Sequence, residues 1–187
     1  MKKTLLFSAF LSLIACQEQP ASSAVQKSAT GNCSVTAEEL EASLIGKTLN
    51  AAAGFNSCFV VTDTIVGDEG VQWKAKAFSL NGNLEFLAES TDENVDAVNR
   101  ITIEGTHIAT KNGIKVGDDA KKLLPFMNAE MPALPDGYLG VLDKDNNKTL
   151  YQLNSEDFPD TLEQEIAGDV KKIPETMKVT AIVIDGI

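Results

Sequence analysis

Residues 58–104 carry four short apolar runs, at 58–65, 71–80, 84–89 and 100–104, each rich in Val, Ile, Phe or Trp and each bounded by Gly, Asn or Ser. Runs of that length with partial alternation fit strands whose side chains point to opposite faces of a sheet, and they are too short for helices that must bury a stripe. The punctuation is specific. Asn81-Gly82-Asn83 stands between two apolar runs, and an Asn-Gly pair there is a strong hairpin signal because both residues tolerate the positive φ of a tight turn. Residues 67–70, opened and closed by Gly67 and Gly70, separate the first two runs in the same way. A chain built of successive hairpins commits to an antiparallel sheet.

Helices are few and short. Thr36 followed by Glu39 is a capping-box pattern, and Leu40, Leu44 and Ile45 recur at helical spacing, which predicts a helix over 36–46. A second is predicted over 118–126, with Asp118 as its N-cap, Ala120, Leu123 and Leu124 inward, and Pro125 near its end. Residues 161–166 read as a further short helix. Three more strands follow from 138–142, 149–153 and 177–184, the first two flanking a Lys-Asp-Asn-Asn-Lys turn. The expected fold class is therefore α+β: one domain, an antiparallel sheet of hairpin strands with two or three short helices.

The amino-terminal end is of a different kind. Lys2 and Lys3 precede an apolar run that ends in Leu13-Ile14-Ala15-Cys16. A positive start, a short apolar stretch and small residues before a cut describe a secretory signal. The ending resembles the bacterial lipobox, with Leu three before the cysteine and a small residue next to it. That resemblance implies cleavage before Cys16, a diacylglycerol on its thiol and an acylated new amino terminus. Each buried methylene contributes about 0.8 kcal/mol, so two or three chains anchor a protein effectively for good. Gln17 in place of an Asp at the next position implies, by the sorting habit of such lipoproteins in Gram-negative bacteria, the outer membrane on its periplasmic side. The expected organisation is a signal peptide at 1–15, a lipidated Cys16 and tether at 16–31, and a globular domain at 32–187. Residues 17–31, rich in Gln, Ser, Ala and Thr, have a random-coil reach of about 20 Å, enough to hold a domain clear of lipid headgroups.

Charge excludes some partners. The chain has 27 acidic residues, 16 basic ones and a net charge of −11; removing residues 1–15 takes two lysines and no acid, which leaves −13. Its lysines are scattered, so phosphate-rich polymers are repelled and nucleic acid is not an expected partner. Cys33 and Cys58 remain after Cys16 as an even pair, and in an oxidising compartment a structural disulfide is the default. With a single histidine and no close Cys-x-x-Cys pair, zinc spacing is absent and no metal or cofactor is expected.

The stretch 100–118, Arg-Ile-Thr-Ile-Glu-Gly-Thr-His-Ile-Ala-Thr-Lys-Asn-Gly-Ile-Lys-Val-Gly-Asp, resembles the conserved segment of a family of bacterial lipoproteins of unknown function that includes sigma-E-regulated outer-membrane lipoproteins. The matching positions are Ile101, Ile103, Ile108, Thr110, Gly113, Ile114, Val116, Gly117 and Leu123, and the last strand is also similar. The likeness covers about thirty residues, and the family offers no catalytic residue to carry over. Physically, Gly113 and Gly117 supply turn conformations costly to other residues, while Ile114 and Val116 point inward between them.

Other residues invite chemistry and have simpler explanations. Asp143-Lys-Asp145-Asn-Asn147 imitates the start of a calcium loop, but Lys148 replaces the required glycine and Asn154 the bidentate Glu, so an exposed hairpin turn is expected. His107 is the sole base near neutral pH and lies in no nucleophile motif. The adjacent acids Glu38 with Glu39, Asp92 with Glu93 and Asp118 with Asp119 point in different directions and read as solvated surface. Trp73 reads as sheet packing. The free N–H groups at the 118–126 helix could hold an anion, but Asp118 and Asp119 oppose it.

The functional expectation is a non-enzymatic, membrane-anchored envelope lipoprotein that binds the membrane through its lipid and an envelope protein through its domain. The alternative is a small-molecule or lipid-binding lipoprotein with an apolar cavity between sheet and helices; a cell-envelope hydrolase ranks behind both, and would need a cleft in which His107 meets an acid or a nucleophile.

Overall fold

A computed structural model describes residues 33–68, 70–91, 95–127, 139–154, 166 and 169–186. Its centre is one antiparallel sheet of seven strands, β1 (Val60–Asp68), β2 (Val71–Leu80), β3 (Asn83–Glu89), β4 (Arg100–Ile103), β5 (Leu139–Leu142), β6 (Thr149–Leu153) and β7 (Val179–Asp185), in the order β1-β2-β3-β4-β7-β6-β5. Two meanders build it. The first runs from β1 to β4; the second folds β5, β6 and β7 together and sets β7 against β4. The α+β expectation holds, as does the hairpin turn at 81–82, where Asn81 has φ 52° and Gly82 φ 84°.

The register explains why one face is the core. Phe78, Phe86, Ile103, Ile182, Tyr151 and Val141 are consecutive cross-strand partners from β2 to β5, and all are buried. Beside them Phe78 and Phe86 stack at 4.2 Å between ring centroids, with Phe59 edge-on at 5.3 Å to Phe86. Over this face lies α1 (Ala37–Leu44), shorter than the predicted 36–46, burying Ala37, Leu40 and Leu44. Its capping box is formed: Glu39 N donates to Thr36 Oγ1 and Thr36 N to the Glu39 carboxylate. A second helix, α2 (Leu49–Ala52), was not foreseen; four residues are too few to show a helical period, and Thr48 caps it by accepting from Ala51 N. The Cys33–Cys58 disulfide is formed, with Cα atoms 5.8 Å apart, and staples the segment before α1 to the segment before β1.

Several boundaries differ from expectation, two of them with a visible cause. β1 runs on to Asp68, through Gly67, because its partner β2 extends the ladder to Val71. The N-cap position of helix α3 (Ala120–Leu123) is Asp119 and not Asp118, and the Asp119 side chain makes no capping hydrogen bond. Asp118 turns back instead, accepting from Lys115 N at 2.7 Å and from Lys122 Nζ at 2.7 Å. The predicted helix at 161–166 falls outside the described residues apart from Ile166, as do the predicted signal peptide, Cys16 and the tether.

Candidate functional site

The motif at 113–117 is a corner. Gly113 and Gly117 have φ of 74° and 90°, where a Cβ would be strained. Ile114 is buried and Val116 packs half-buried against the core. Thr110 closes the turn: its backbone carbonyl accepts from Gly113 N, and its Oγ1 from Ile114 N. The next N–H groups are engaged by backbone. Gly117 N donates to Val179 O, Ala120 N to Met177 O and Lys121 N to Glu175 O, so the start of α3 faces the approach to β7 and not an anion site.

The calcium-like segment is a turn, as expected, but Asp143 is not exposed. Asp143 is buried, its Oδ1 accepting from Asp145 N and Asn146 N and its Oδ2 from the Tyr151 hydroxyl at 2.8 Å. Burial and that carboxylate hold the Tyr151 phenol well above its ordinary range. The side chain thus bonds its own backbone, as Asx turns do.

His107 meets an acid. Its Nδ1 lies 2.6 Å from Oε1 of Glu85, whose side chain is 1% exposed while that of His107 is 58% exposed. A carboxylate at Nδ1 fixes the ring and turns Nε2 outward. The contact also anchors the loop after β4: the Glu85 carbonyl accepts from Glu104 N and Gly105 N. Trp73 is sheet packing with its indole donating to Glu89 Oε2 at 2.8 Å. The other oxygen of Glu89 accepts from the Thr102 hydroxyl. Glu104 stands near this buried carboxylate; loss of solvent around it, then the charge of Glu89, raises its affinity for a proton. Of the adjacent acids, Glu38 accepts from Lys111 N with both oxygens and Glu39 caps α1. Asp119 pairs with Lys178, and Asp92 with Glu93 lies outside the described residues.

The feature that sequence reading missed is the exposed edge that the predicted β1–β2 hairpin makes. β1 ends the sheet order, and its nine residues have a strand on one side only among the described residues. Pairing of β2 with β3 starts at Ala75, so residues 65–74 reach beyond β3 as an arm. The large apolar side chains left exposed among the described residues all lie here: Val60 at 57%, Ile65 at 61% and Val71 at 57%. At the root of the arm, facing α2, is a cleft of about 370 Å³ lined by Leu49, Asn50, Asp63, Ile65, Lys76 and Asp96, among others. Lys76 is buried on this face and its ammonium meets the carboxylate of Asp63, which is 87% exposed. The alternation in 58–65 and 71–80 was legible; which strand would be outermost was not, because strand order depends on β7 returning to β4.

Among the described residues no group of three or more His, Cys, Asp or Glu side chains is placed to hold a metal ion, and no helix is long and apolar enough to cross a membrane. No protein-family model and no curated protein matches the chain. Among solved structures, the uncharacterized protein yfeY from Escherichia coli is similar, with a TM-score of 0.57 and 14% sequence identity over 76% of this chain and 93% of that one. At that identity the likeness is one of fold.

Proposed function

We propose that this chain is a lipid-anchored protein of the bacterial envelope, attached through Cys16 on the periplasmic side of the outer membrane, whose α+β domain works as a non-enzymatic interaction module. The observation that carries the reading is the run Leu13-Ile14-Ala15-Cys16 after Lys2 and Lys3. The resemblance of 100–118 to envelope lipoproteins agrees with it. The domain supports it in two ways. Its disulfide suits an oxidising compartment. Its polar groups that looked chemical are tied to structural duties: Asp143 to a turn, Glu85 and His107 to a loop, Asp118 to the corner before α3.

The test is co-purification of crosslinked native protein from membranes, beside a Cys16→Ala form that cannot be lipidated. The expected result is a specific envelope protein recovered with the wild type and lost from the variant. Recovery of no protein with either form, and of a small molecule bound to the purified domain, would overturn the reading in favour of a ligand carrier.

A further inference from the structure

Natural sheets blunt their edges. Short edge strands, proline, inward charge or a covering segment keep unpaired N–H and C=O groups from recruiting another chain. The two edges of this sheet are treated differently. β5 at one end has four residues, of which Leu139, Gly140 and Val141 are buried. β1 at the other has nine, contains no proline, and leaves Val60 and Ile65 open to solvent. The arm adds Val71, so the large aliphatic side chains exposed among the described residues all lie on the β1–β2 hairpin. An edge that is long, free of proline and rich in Val, Ile and Thr is a template for an eighth strand.

We infer that β1 is a docking edge that takes an extended segment of a partner protein by strand addition, and that the segment carries a basic residue flanked two positions away by aliphatic ones. This rests on the reading of the domain as an interaction module, and it does not depend on the lipid. The register fixes the chemistry. Ile65 pairs with Lys74 and Asp63 with Lys76, so Val61, Asp63 and Ile65 share the helix-side face on which the cleft opens. A strand laid on β1 places three of its side chains, spaced by two, opposite these residues. Those opposite Val61 and Ile65 must be apolar. The one opposite Asp63 sees an exposed carboxylate whose other neighbour is the buried Lys76. A lysine or arginine there completes a row in which the carboxylate lies between two cations. The opposite face, through Thr62, Thr64 and Val66, favours β-branched residues.

The same charges argue against a second copy of this chain as the occupant. β1 carries acids and no base, so two β1 strands would offer Asp63 no cation, and each chain brings a net charge of −11. A basic segment is attracted to that field.

The probe is the acetylated, amidated peptide Thr-Val-Thr-Lys-Thr-Val-Thr, compared with the same peptide carrying Glu in place of Lys, each titrated into the full chain. Binding is read by fluorescence polarisation of a labelled peptide and located by amide hydrogen exchange. The expected result is slowed exchange confined to residues 60–68 and their neighbours, with the Glu peptide about tenfold weaker. Ile65→Lys, at an exposed position, should lower affinity for the Lys peptide about fivefold without moving the thermal midpoint. Asp63→Lys should reverse the preference between the two peptides. Equal binding of both peptides, protection away from β1, or a dimer of the full chain that Ile65→Lys dissociates would overturn the proposal. Failure here alongside recovery of an envelope partner from membranes would leave the interaction module standing with another face in use.

Discussion

At Gly105 a Cβ would fall 2.1 Å from Glu85 Oε2 and 2.7 Å from Glu85 Cα, so both the side chain and the backbone of β3 stand in the way. The close approach lets Gly105 N donate to the Glu85 carbonyl and lets the buried carboxylate reach His107. Gly105→Ala should therefore destabilise the domain by about 1–3 kcal/mol, as overpacking does, read from the urea midpoint. Glu104 gives a pH signature. Its folded-state affinity for a proton is raised above the ordinary value of 4.5, so the stability this contributes is present below that value and is lost as pH rises through the raised one. Glu104→Gln should match the wild type at about pH 3 and be the more stable of the two at about pH 7, in paired urea titrations. Equal midpoints at both pH values would count against this placement of Glu104. Neither residue was marked by the sequence. Gly105 looked like a strand end, and although alternation puts Glu85 and Glu89 on the face of β3 opposite Phe86, nothing in the order of residues says that both are buried.

The elements divide into those fixed by local pattern and those fixed by distant contact. Phe86→Ala removes a ring that stacks on Phe78 and meets Phe59 edge-on and should cost about 3–5 kcal/mol, while Ile65→Lys at the edge should stay within about 0.5 kcal/mol of the wild type. Reducing the Cys33–Cys58 bond, which closes a loop with a sequence separation of 25, should lower stability by about 3 kcal/mol, seen as a fall in thermal midpoint. All seven strands were legible from alternation and turn residues, because hairpins write their geometry locally in pairs such as Asn81-Gly82. The cap of α3 was not, since Asp118 and Asp119 are equal as caps by composition and the choice is made by Val179 N, which donates to the Asp118 carbonyl. Nor was the edge role of β1: it follows from β7 docking on β4, a contact across about eighty residues of chain.

For the whole molecule, sequence and structure speak to opposite ends of one object. The run ending at Cys16 supports the proposed anchorage, and the hairpin of β1 and β2 is the surface proposed to meet a partner. The disulfide fixes the start of the described domain beside the start of β1, at the end of that strand away from the arm. The proposed envelope role depends on the anchor, although strand docking at β1 does not, which makes the covalent state of Cys16 the decisive quantity for that role. The measurement is the intact mass of the protein extracted from membranes of cells that make the full chain. The account predicts a chain that begins at Cys16 and carries a diacylglycerol with or without a further acyl group. A chain that retains residues 1–15, or one recovered in the soluble fraction with Cys16 unmodified, would contradict it.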